Sequence, residues 1–530
     1  MQLIVTISVF FLAAAVLIWL FAKYKYELHV FQQNSYRNER YYKWLRNNIS
    51  GKQRIVEFVP MIFVVLALFM PSHIVLLVLF LLAGASYLGL SYKAFTRKAK
   101  VKFNFTARAK RLYFTSIGLC LIFMLLYCLL IGKSLLILRI AIGFAGTAVL
   151  SFLILPLSNI ILKPVENHIS NWYINDARRI LAGHKDMIIV GITGSYGKTS
   201  TKHFLNTILS QKYNVLMTPG SYNTTMGVVR TIREYMQPTH QLFICEMGAK
   251  QINDIKEICD IVHPKYGILT SVAEQHLDTF HNIENVRKTK FELIDSLPAD
   301  GVAFLNADYD IIKSTPKYKD TEYYCLGDDT CDYSVKNISY SQAGTTFDLY
   351  HFGEKKATFT TPLLGEYNIS NIVACVACAY KLGLSTEQIA YGIHKLEAVE
   401  HRMQMSTNPA GLIIIDDAFN SNPKGARMAL EVLSGFPNQK FVITPGIIEL
   451  ADRQDYYNRE LGKQIAHSVD YAILVGKEQT AAIYQGLKDE NFPDDKIYIA
   501  SGLNDGANYA FSIARRGDAV LFENDLPDFH

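Results

Sequence analysis

The chain has 530 residues, half of them hydrophobic, and a net charge of only +5, which is long enough for several domains with real cores. That average conceals a division: residues 1–160 carry 18 Lys and Arg against Glu27, Glu39 and Glu57, a balance of +15, whereas the remainder is at −10. A single soluble globule is excluded, and so is a nucleic-acid-binding protein, because the basic excess sits between long apolar runs where anionic lipid head groups are the simpler partner.

Leu3 to Ala22 is an uncharged apolar run of bilayer-spanning length; with more such runs after it and no small-residue cleavage site, it reads as an anchor. Ile55 to Met70 and Ile74 to Tyr92 flank Pro71-Ser72-His73, and Leu112 to Ile131 and Leu135 to Leu155 flank Gly132-Lys133-Ser134. These runs predict a membrane domain over residues 1–160 with five transmembrane helices. The segments Lys23 to Arg54 and Lys93 to Arg111 each carry eight basic residues and the tight turns hold only Lys133, which places both basic loops in the cytoplasm. The expected protein is therefore a multi-pass protein of the inner, cytoplasmic membrane with its N-terminus outside and everything after Pro156 inside, where ATP is. Glu57 and Arg139, in or near spans, either snorkel to the interface or serve a function.

Residues 161–185 form a connector that includes a helix-compatible stretch. From Met187 onward, β-type runs (Met187 to Ile192, Gln241 to Cys245, Tyr266 to Thr270, Val302 to Asn306) alternate with helical segments, the pattern of a largely parallel sheet. Tyr323 to Pro362 reads as an antiparallel patch, followed by helices at Asn368 to Leu382 and Thr386 to Leu396. Beyond Arg402, strands at Leu412 to Asp416, Lys440 to Thr444, Tyr471 to Val475 and Asp518 to Phe522 alternate with helices, giving a small doubly wound domain. The fold class is thus an α-helical membrane domain followed by α/β: a central ATP-binding domain over 186–402 and a Rossmann-like domain over 403–530. Cys375 and Cys378 have C-x-x-C spacing but lie in an Ala-rich helical run without a second pair, so they read as small buried residues, not metal ligands. A cytoplasmic location predicts reduced thiols.

The chemistry begins at TGSYGKTSTK (Thr193 to Lys202). Gly194, Ser195, Tyr196 and Gly197 make a turn between an apolar strand and a helix, so backbone N–H groups can face an anion while Lys198 adds a point charge and Thr199 a hydroxyl for Mg²⁺. Ser200 continues the loop. The usual first glycine would fall at Ile192, so this is a shorter P-loop, and alone it says only that a nucleotide binds.

Seven further segments follow in order: SYNTTMG (Ser221 to Gly227), EMGA (Glu246 to Ala249), EQHLDTFHNIENVRKTK (Glu274 to Lys290), Asn306-Ala307-Asp308, GEYNISN (Gly365 to Asn371), HRM (His401 to Met403) and DDAFNSNP (Asp416 to Pro423). Together with the P-loop these resemble the Mur ligases, most closely the MurF type that adds D-alanyl-D-alanine to UDP-N-acetylmuramoyl-tripeptide. The resemblance covers Met187 to Phe522 and none of the membrane part. It implies an ATP-dependent carboxylate–amine ligase working through an acyl phosphate, with catalytic Lys198, His276 and Lys290. It implies two Mg²⁺ sites, one at Thr199 and Glu246, the other at His276 and a carbamylated Lys290. Asn368, Asn371, Arg402 and Asp417 would contact ATP, and Asn223, Asn420 and Asn422 would lie on substrate-facing loops. The implied partners are a nucleotide-linked or lipid-linked cell-wall precursor, an amino acid or dipeptide, and the lipid bilayer.

The sequence departs from that family at two places. Membrane spans occupy the place of the domain that grips the UDP-muramoyl substrate in soluble members. After the last strand the sequence reads FENDLPDFH where many adding enzymes carry Lys-Gly-Ser-Arg. Three functions fit: the D-alanyl-D-alanine-adding reaction, the same ligase chemistry on a lipid-linked precursor or a poly-amino-acid chain, and a transporter driven by a ligase-like nucleotide domain. The last calls for polar residues lining the spans, which are few.

Overall fold

The computed structural model describes residues 2–34, 36–49, 52–67, 69–70, 72–96, 103–130, 136–275, 277–315, 320–327, 330–341, 344–399, 403–418, 422–448 and 450–524. The chain divides after Asn171 into two compact units, the first helical and the second, from Trp172, holding all the strands.

In the helical unit, Leu12, Val16, Trp19, Leu20, Leu28 and Phe31 of the helix Gln2–Gln33 are buried together with Phe80, Ala83 and Tyr87 of the helix His73–Thr96. Gly84 permits the close approach: a Cβ there would lie 2.5 Å from the Phe11 ring. Elsewhere on this unit Phe10, Ile62, Phe69 and Phe114 are more than half exposed, an arrangement suited to lipid and costly in water. Among the described residues three helices, Val5–Gln33, His73–Thr96 and Ala107–Tyr127, are long and apolar enough to cross a membrane; Ile140–Ala148 and Leu150–Ala182, bent by 67°, make a fourth if taken as one span. Set against the five spans expected, the helix Lys52–Ala67 has 16 described residues, fewer than the roughly 20 that cross a bilayer, and opens with Lys52 and Arg54. Glu57 is paired: Lys23 Nζ lies 2.9 Å from its Oε2 and 3.7 Å from Glu27 Oε1, while Tyr41 donates to Glu27 Oε2 at 2.9 Å. The Arg139 side chain lies outside the described residues. The stretch expected as a connector is helical through Ala182, the end of a helix that begins at Leu136 and contains Pro156 and Pro164.

The second unit is built on two sheets. The first contains β1 Ile188–Thr193, β2 Val215–Met217, β3 Leu242–Glu246, β4 Tyr266–Leu269, β5 Val302–Asn306, β6 Asp320–Leu326, β7 Tyr333–Ser341, β8 Gly344–His351 and β9 Glu354–Thr361. Their spatial order is β2-β3-β1-β4-β5-β6-β7-β8-β9, parallel from β2 through β7 and antiparallel across β7, β8 and β9. The strands β1, β3 and β5 are buried on both faces, hence their continuous apolar runs. The helix Lys198–Leu209 buries Phe204, Leu205, Ile208 and Leu209 against the helix Glu366–Lys381, whose Ala374, Cys375, Ala377 and Cys378 are small enough for close packing. Cys375 and Cys378 are free and buried, as the sequence predicts. Cys325 and Cys331, in contrast, are disulfide-bonded. The parallel register of β6 and β7 sets Cys325 opposite Ser334, three residues after Cys331.

The second sheet contains β10 Gln404–Thr407, β11 Ile413–Asp417, β12 Lys440–Thr444, β13 Tyr471–Val475, β14 Ile497–Ala500 and β15 Ala519–Glu523, in the order β10-β11-β15-β12-β13-β14, with only β10 antiparallel. Helices cover both faces, giving two separate cores. This is the doubly wound domain expected from the β–α alternation.

Candidate active site

β1 lies between β3 and β4; the chain runs from β1 to β2 on one side and from β3 to β4 on the other, so the winding reverses around β1 and a crevice opens at its carboxyl end. The P-loop fills that place. Gly194 and Gly197 have φ of +153° and +78°, backbone that side chains disfavour, and a Cβ on Gly197 would lie 2.5 Å from Asn371 Oδ1. The loop is pinned from β4's extension: Ser195 N donates to Ser271 O at 2.9 Å, Tyr196 N to Ser271 Oγ at 2.6 Å, and Ser195 Oγ to Ala273 O at 3.0 Å. Lys198 Nζ donates to the carbonyls of Gly194 at 2.6 Å and Ser195 at 3.1 Å, so its charge is held at the loop itself.

Glu246, the last residue of β3, sits beside it. Its Oε1 accepts from Thr199 Oγ1 at 3.1 Å and from Asn223 Nδ2 at 3.0 Å, and Lys202 Nζ lies 2.9 Å from Oε2. Burial pushes the Glu246 carboxyl up, but the Lys202 and Lys198 charges and the Asn223 hydrogen bond outweigh it and hold the group below its ordinary value. Thr199, Glu246 and Asn223, distant in sequence, are thereby brought to one point. Lys290, on the helix Ile283–Asp295, is 2 % exposed; burial, reinforced by the Lys198 charge, drives its amine well below the usual lysine value. His276, its expected companion, lies outside the described residues, as do Arg402 and Asn420.

A cavity of about 380 Å³ extends from the P-loop helix to the second sheet. Of the residues read from the sequence, Tyr196, Gly197, Ser200, Asn371, Asp417 and Asn422 line it. Asn371 is set by Thr201 Oγ1, which donates to its Oδ1 at 3.2 Å. Asp417 Oδ1 accepts from Met403 N at 3.1 Å, and Asn422 Oδ1 from Gly425 N at 2.7 Å, capping the helix Pro423–Ser434. Asn368 does not line the cavity; its Nδ2 donates to Leu364 O at 2.8 Å and fixes the turn that enters the helix Glu366–Lys381.

Sequence reading missed several contributors. Thr270 and Ser271 follow β4 and carry no motif. Tyr309 lies under Lys424, whose Nζ is 4.0 Å from the ring centroid, and both line the cavity. Glu274 joins the two sheets: Tyr196 OH donates to its carbonyl at 3.0 Å, while Tyr457 OH donates to Oε2 at 2.5 Å and Arg453 pairs with Oε1. Lys202 carried a signal, since it lies on the buried face of an amphipathic helix four residues after Lys198, where an unpaired ammonium is not tolerated. Among the described residues no group of three or more His, Cys, Asp or Glu gathers where it could hold a metal ion. The Thr199 hydroxyl and the Glu246 carboxylate, hard oxygens meeting at one point, fit Mg²⁺.

Residues 192–379 match the Mur ligase middle domain and residues 401–523 the Mur ligase, glutamate ligase domain. The chain is 27% identical over 339 residues, 63% of its length and 72% of the relative's, to the UDP-N-acetylmuramoyl-tripeptide--D-alanyl-D-alanine ligase of Bacillus subtilis. It is 28% identical over 313 residues, 58% of its length and 67% of the relative's, to the enzyme of that name from Haemophilus influenzae. Among solved structures it is similar to MurF ligase from Thermotoga maritima in complex with ADP, at a TM-score of 0.60 and 25% identity, covering 67% of this chain and 80% of that one.

Proposed function

The chain belongs to the Mur ligase family of ATP-dependent ligases, and from that premise we propose that it adds D-alanyl-D-alanine, or a related amino acid or dipeptide, to the carboxylate of a UDP-N-acetylmuramoyl-peptide at the cytoplasmic face of the membrane, in peptidoglycan precursor synthesis. The observation that carries this reading is the convergence of Lys198, Thr199, Asn223 and Glu246 at the mouth of the P-loop, next to a cavity lined by Asn371 and Asp417. The relatives of known name support the choice of substrate.

A carboxylate is a poor electrophile, so its oxygen first takes the γ-phosphoryl of ATP and ADP is released. The amine then attacks the acyl carbon, the C–O bond to phosphate breaks, and the amide forms. Charge gathers on phosphoryl oxygens in the first step, and positioned cations supply most of the catalysis. Lys198 places its ammonium against the β/γ-phosphates, and the N–H groups of the first turn of the helix Lys198–Leu209 orient them, those of Ser195 and Tyr196 being taken up by Ser271. Mg²⁺, when bound, neutralises the transferring phosphoryl, and Thr199 and Glu246 are the donors for it. Lys290, whose amine burial pushes well below the usual lysine value, is suited to carbamylation and, with His276, to holding a second Mg²⁺. Asn371, Asp417 and Arg402 orient the nucleoside, Asn368 positions the turn that carries Asn371, and Asn223, Asn420 and Asn422 face the substrate.

The test is phosphate release from ATP by the detergent-solubilised chain with UDP-N-acetylmuramoyl-tripeptide, with and without D-alanyl-D-alanine, followed by mass spectrometry. Release that needs both substrates, with a product heavier by the dipeptide, is the expected result. The apolar helices ahead of the P-loop favour a second reading, the same chemistry on a lipid-linked precursor or a poly-amino-acid chain. That reading takes over if turnover appears only when membrane lipid extract and mixed amino acids are supplied.

A further inference from the structure

Lys202 is a side chain that neither the P-loop chemistry nor the core requires. It is fully buried, four residues after Lys198 on the same helix, and its Nζ divides its contacts between two elements. It lies 2.9 Å from Glu246 Oε2 and donates to Gly220 O at 2.6 Å. Oε2 takes no hydrogen bond among the described residues, so the Lys202 ammonium meets it as an ion pair. Gly220 begins the loop that carries Asn223, and Asn223 in turn donates to the other oxygen, Oε1, where Thr199 also meets it. The loop is closed onto β3 by Glu246 N donating to Thr218 Oγ1 at 3.1 Å and Gly248 N to Asn223 O at 2.7 Å. One ammonium thus occupies one oxygen of the carboxylate and anchors the loop that orients the other.

We propose that Lys202 is a positioning residue that restricts Glu246 to a single ligand oxygen, and so sets the site's preference for a small octahedral cation over a larger one. This rests on the ligase reading, in which Glu246 faces Mg²⁺. The physical ground is the difference between the two hard divalent cations. Mg²⁺ demands near-octahedral geometry and takes carboxylates through one oxygen, whereas Ca²⁺ accepts six to eight oxygens and readily takes both oxygens of one carboxylate. With Oε2 held by Lys202, Glu246 offers Oε1 alone. Without the ammonium the carboxylate turns, both oxygens face the cation, and Ca²⁺ gains relative to Mg²⁺.

The experiment measures binding and not turnover. The full chain in detergent micelles is titrated with a fluorescent N-methylanthraniloyl ADP without metal, with Mg²⁺ and with Ca²⁺, for the wild type, Lys202→Met, Lys202→Gln and Lys202→Arg. The expected result is metal-free affinity within about twofold of wild type in all three variants. The ratio of Mg²⁺-supported to Ca²⁺-supported affinity falls about tenfold in the Met and Gln variants, in line with the usual effect of removing a partner of a metal ligand, and the Arg variant, which keeps the charge, retains the wild-type ratio. An unchanged ratio in Met and Gln overturns the proposal. Loss of metal-free binding in both also overturns it, because Lys202 would then serve only the fold. If the wild-type chain binds the nucleotide under none of the three conditions, the ligase reading itself fails and takes the inference with it.

Discussion

Lys198 reaches the carbonyls of Gly194 and Ser195 from the first turn of its helix, so truncating it removes the cation nearest the phosphates without opening the core. Lys198→Ala is expected to lower substrate-dependent phosphate release by at least about 10²-fold, the usual cost of one charge-stabilising donor; turnover at the wild-type rate would remove the P-loop from the mechanism. Lys290 makes a sharper case. A buried amine that favours its neutral form has no ion pair to lose, and no hydrogen-bond partner for it is found among the described residues, so its place in the core calls for a chemical reason. Lys290→Ala is expected to be inactive and to regain part of its activity in added formate or acetate, small carboxylates that can stand where the carbamate oxygens would. If no carboxylate restores phosphate release at any concentration, the carbamate role is wrong. Both lysines were legible in the sequence through their spacing within family-like segments; Lys202 stood out only as a lysine on the buried face of its helix, and its partners were not legible, because only the fold brings Gly220 and Glu246 to it from two other elements.

The helix Pro423–Ser434 shows how an element and a site share one residue. Asn422 caps it through Gly425 N, and Pro423 occupies the first position, where its missing N–H costs nothing. Asn422 also lines the cavity, beside Asp308, Glu366 and Asp417. Asn422→Ala should destabilise the strand-bearing unit by about 1 kcal/mol, the usual value of such a cap, and lower the midpoint of its denaturation. Asn422→Asp keeps the cap and so should keep that midpoint, but its carboxylate adds to an already acidic wall and should weaken nucleotide binding. Two variants that move stability and affinity together would show that the side chain acts only as a cap. Element boundaries were largely readable: Val302–Asn306, Lys440–Thr444 and Tyr471–Val475 form strands over the residues expected, because continuous apolar runs in a parallel sheet leave little choice. β10 was missed, since Gln404–Thr407 is a polar edge strand recognised only through its antiparallel partner β11. The helix Leu136–Ala182 runs through Pro156 and Pro164, residues that usually interrupt a helix, and so crosses residue 160, where the sequence reading drew its boundary. The cavity was half legible: its family-like residues stood out, whereas Thr270 and Tyr309 follow two different strands, Lys424 lies in the first turn of the helix Pro423–Ser434, and none carries a pattern of its own.

At the scale of the whole molecule the decisive fact is that the basic excess and the apolar helices occupy the same part of the chain. Residues 1–160 hold the +15 balance, and three helices there, or four with the bent pair, are long enough to cross a bilayer. Two forces would then hold the chain on a membrane, and they respond differently to salt. The attraction of basic loops to anionic head groups decays within a Debye length, which shrinks to about 3 Å at 1 M ionic strength, while burial of exposed side chains such as Phe10, Phe69 and Phe114 does not depend on salt and is worth about 25 cal/mol per Å². A peripheral protein held by charge alone would leave the membrane in 1 M salt; a protein spanning it stays until detergent is added. We expect the full chain to remain with the membrane fraction through salt and alkaline carbonate washes and to be released by detergent. The basic loops also set its sidedness, because Lys and Arg near span ends stay on the cytoplasmic side. Protease added to inside-out vesicles should therefore digest the strand-bearing unit, and protease added to intact spheroplasts should spare it. Release by salt would reduce the helical unit to a peripheral docking surface, and digestion from the outer face would separate the P-loop from cytoplasmic ATP, ruling out a ligase that works at that membrane face.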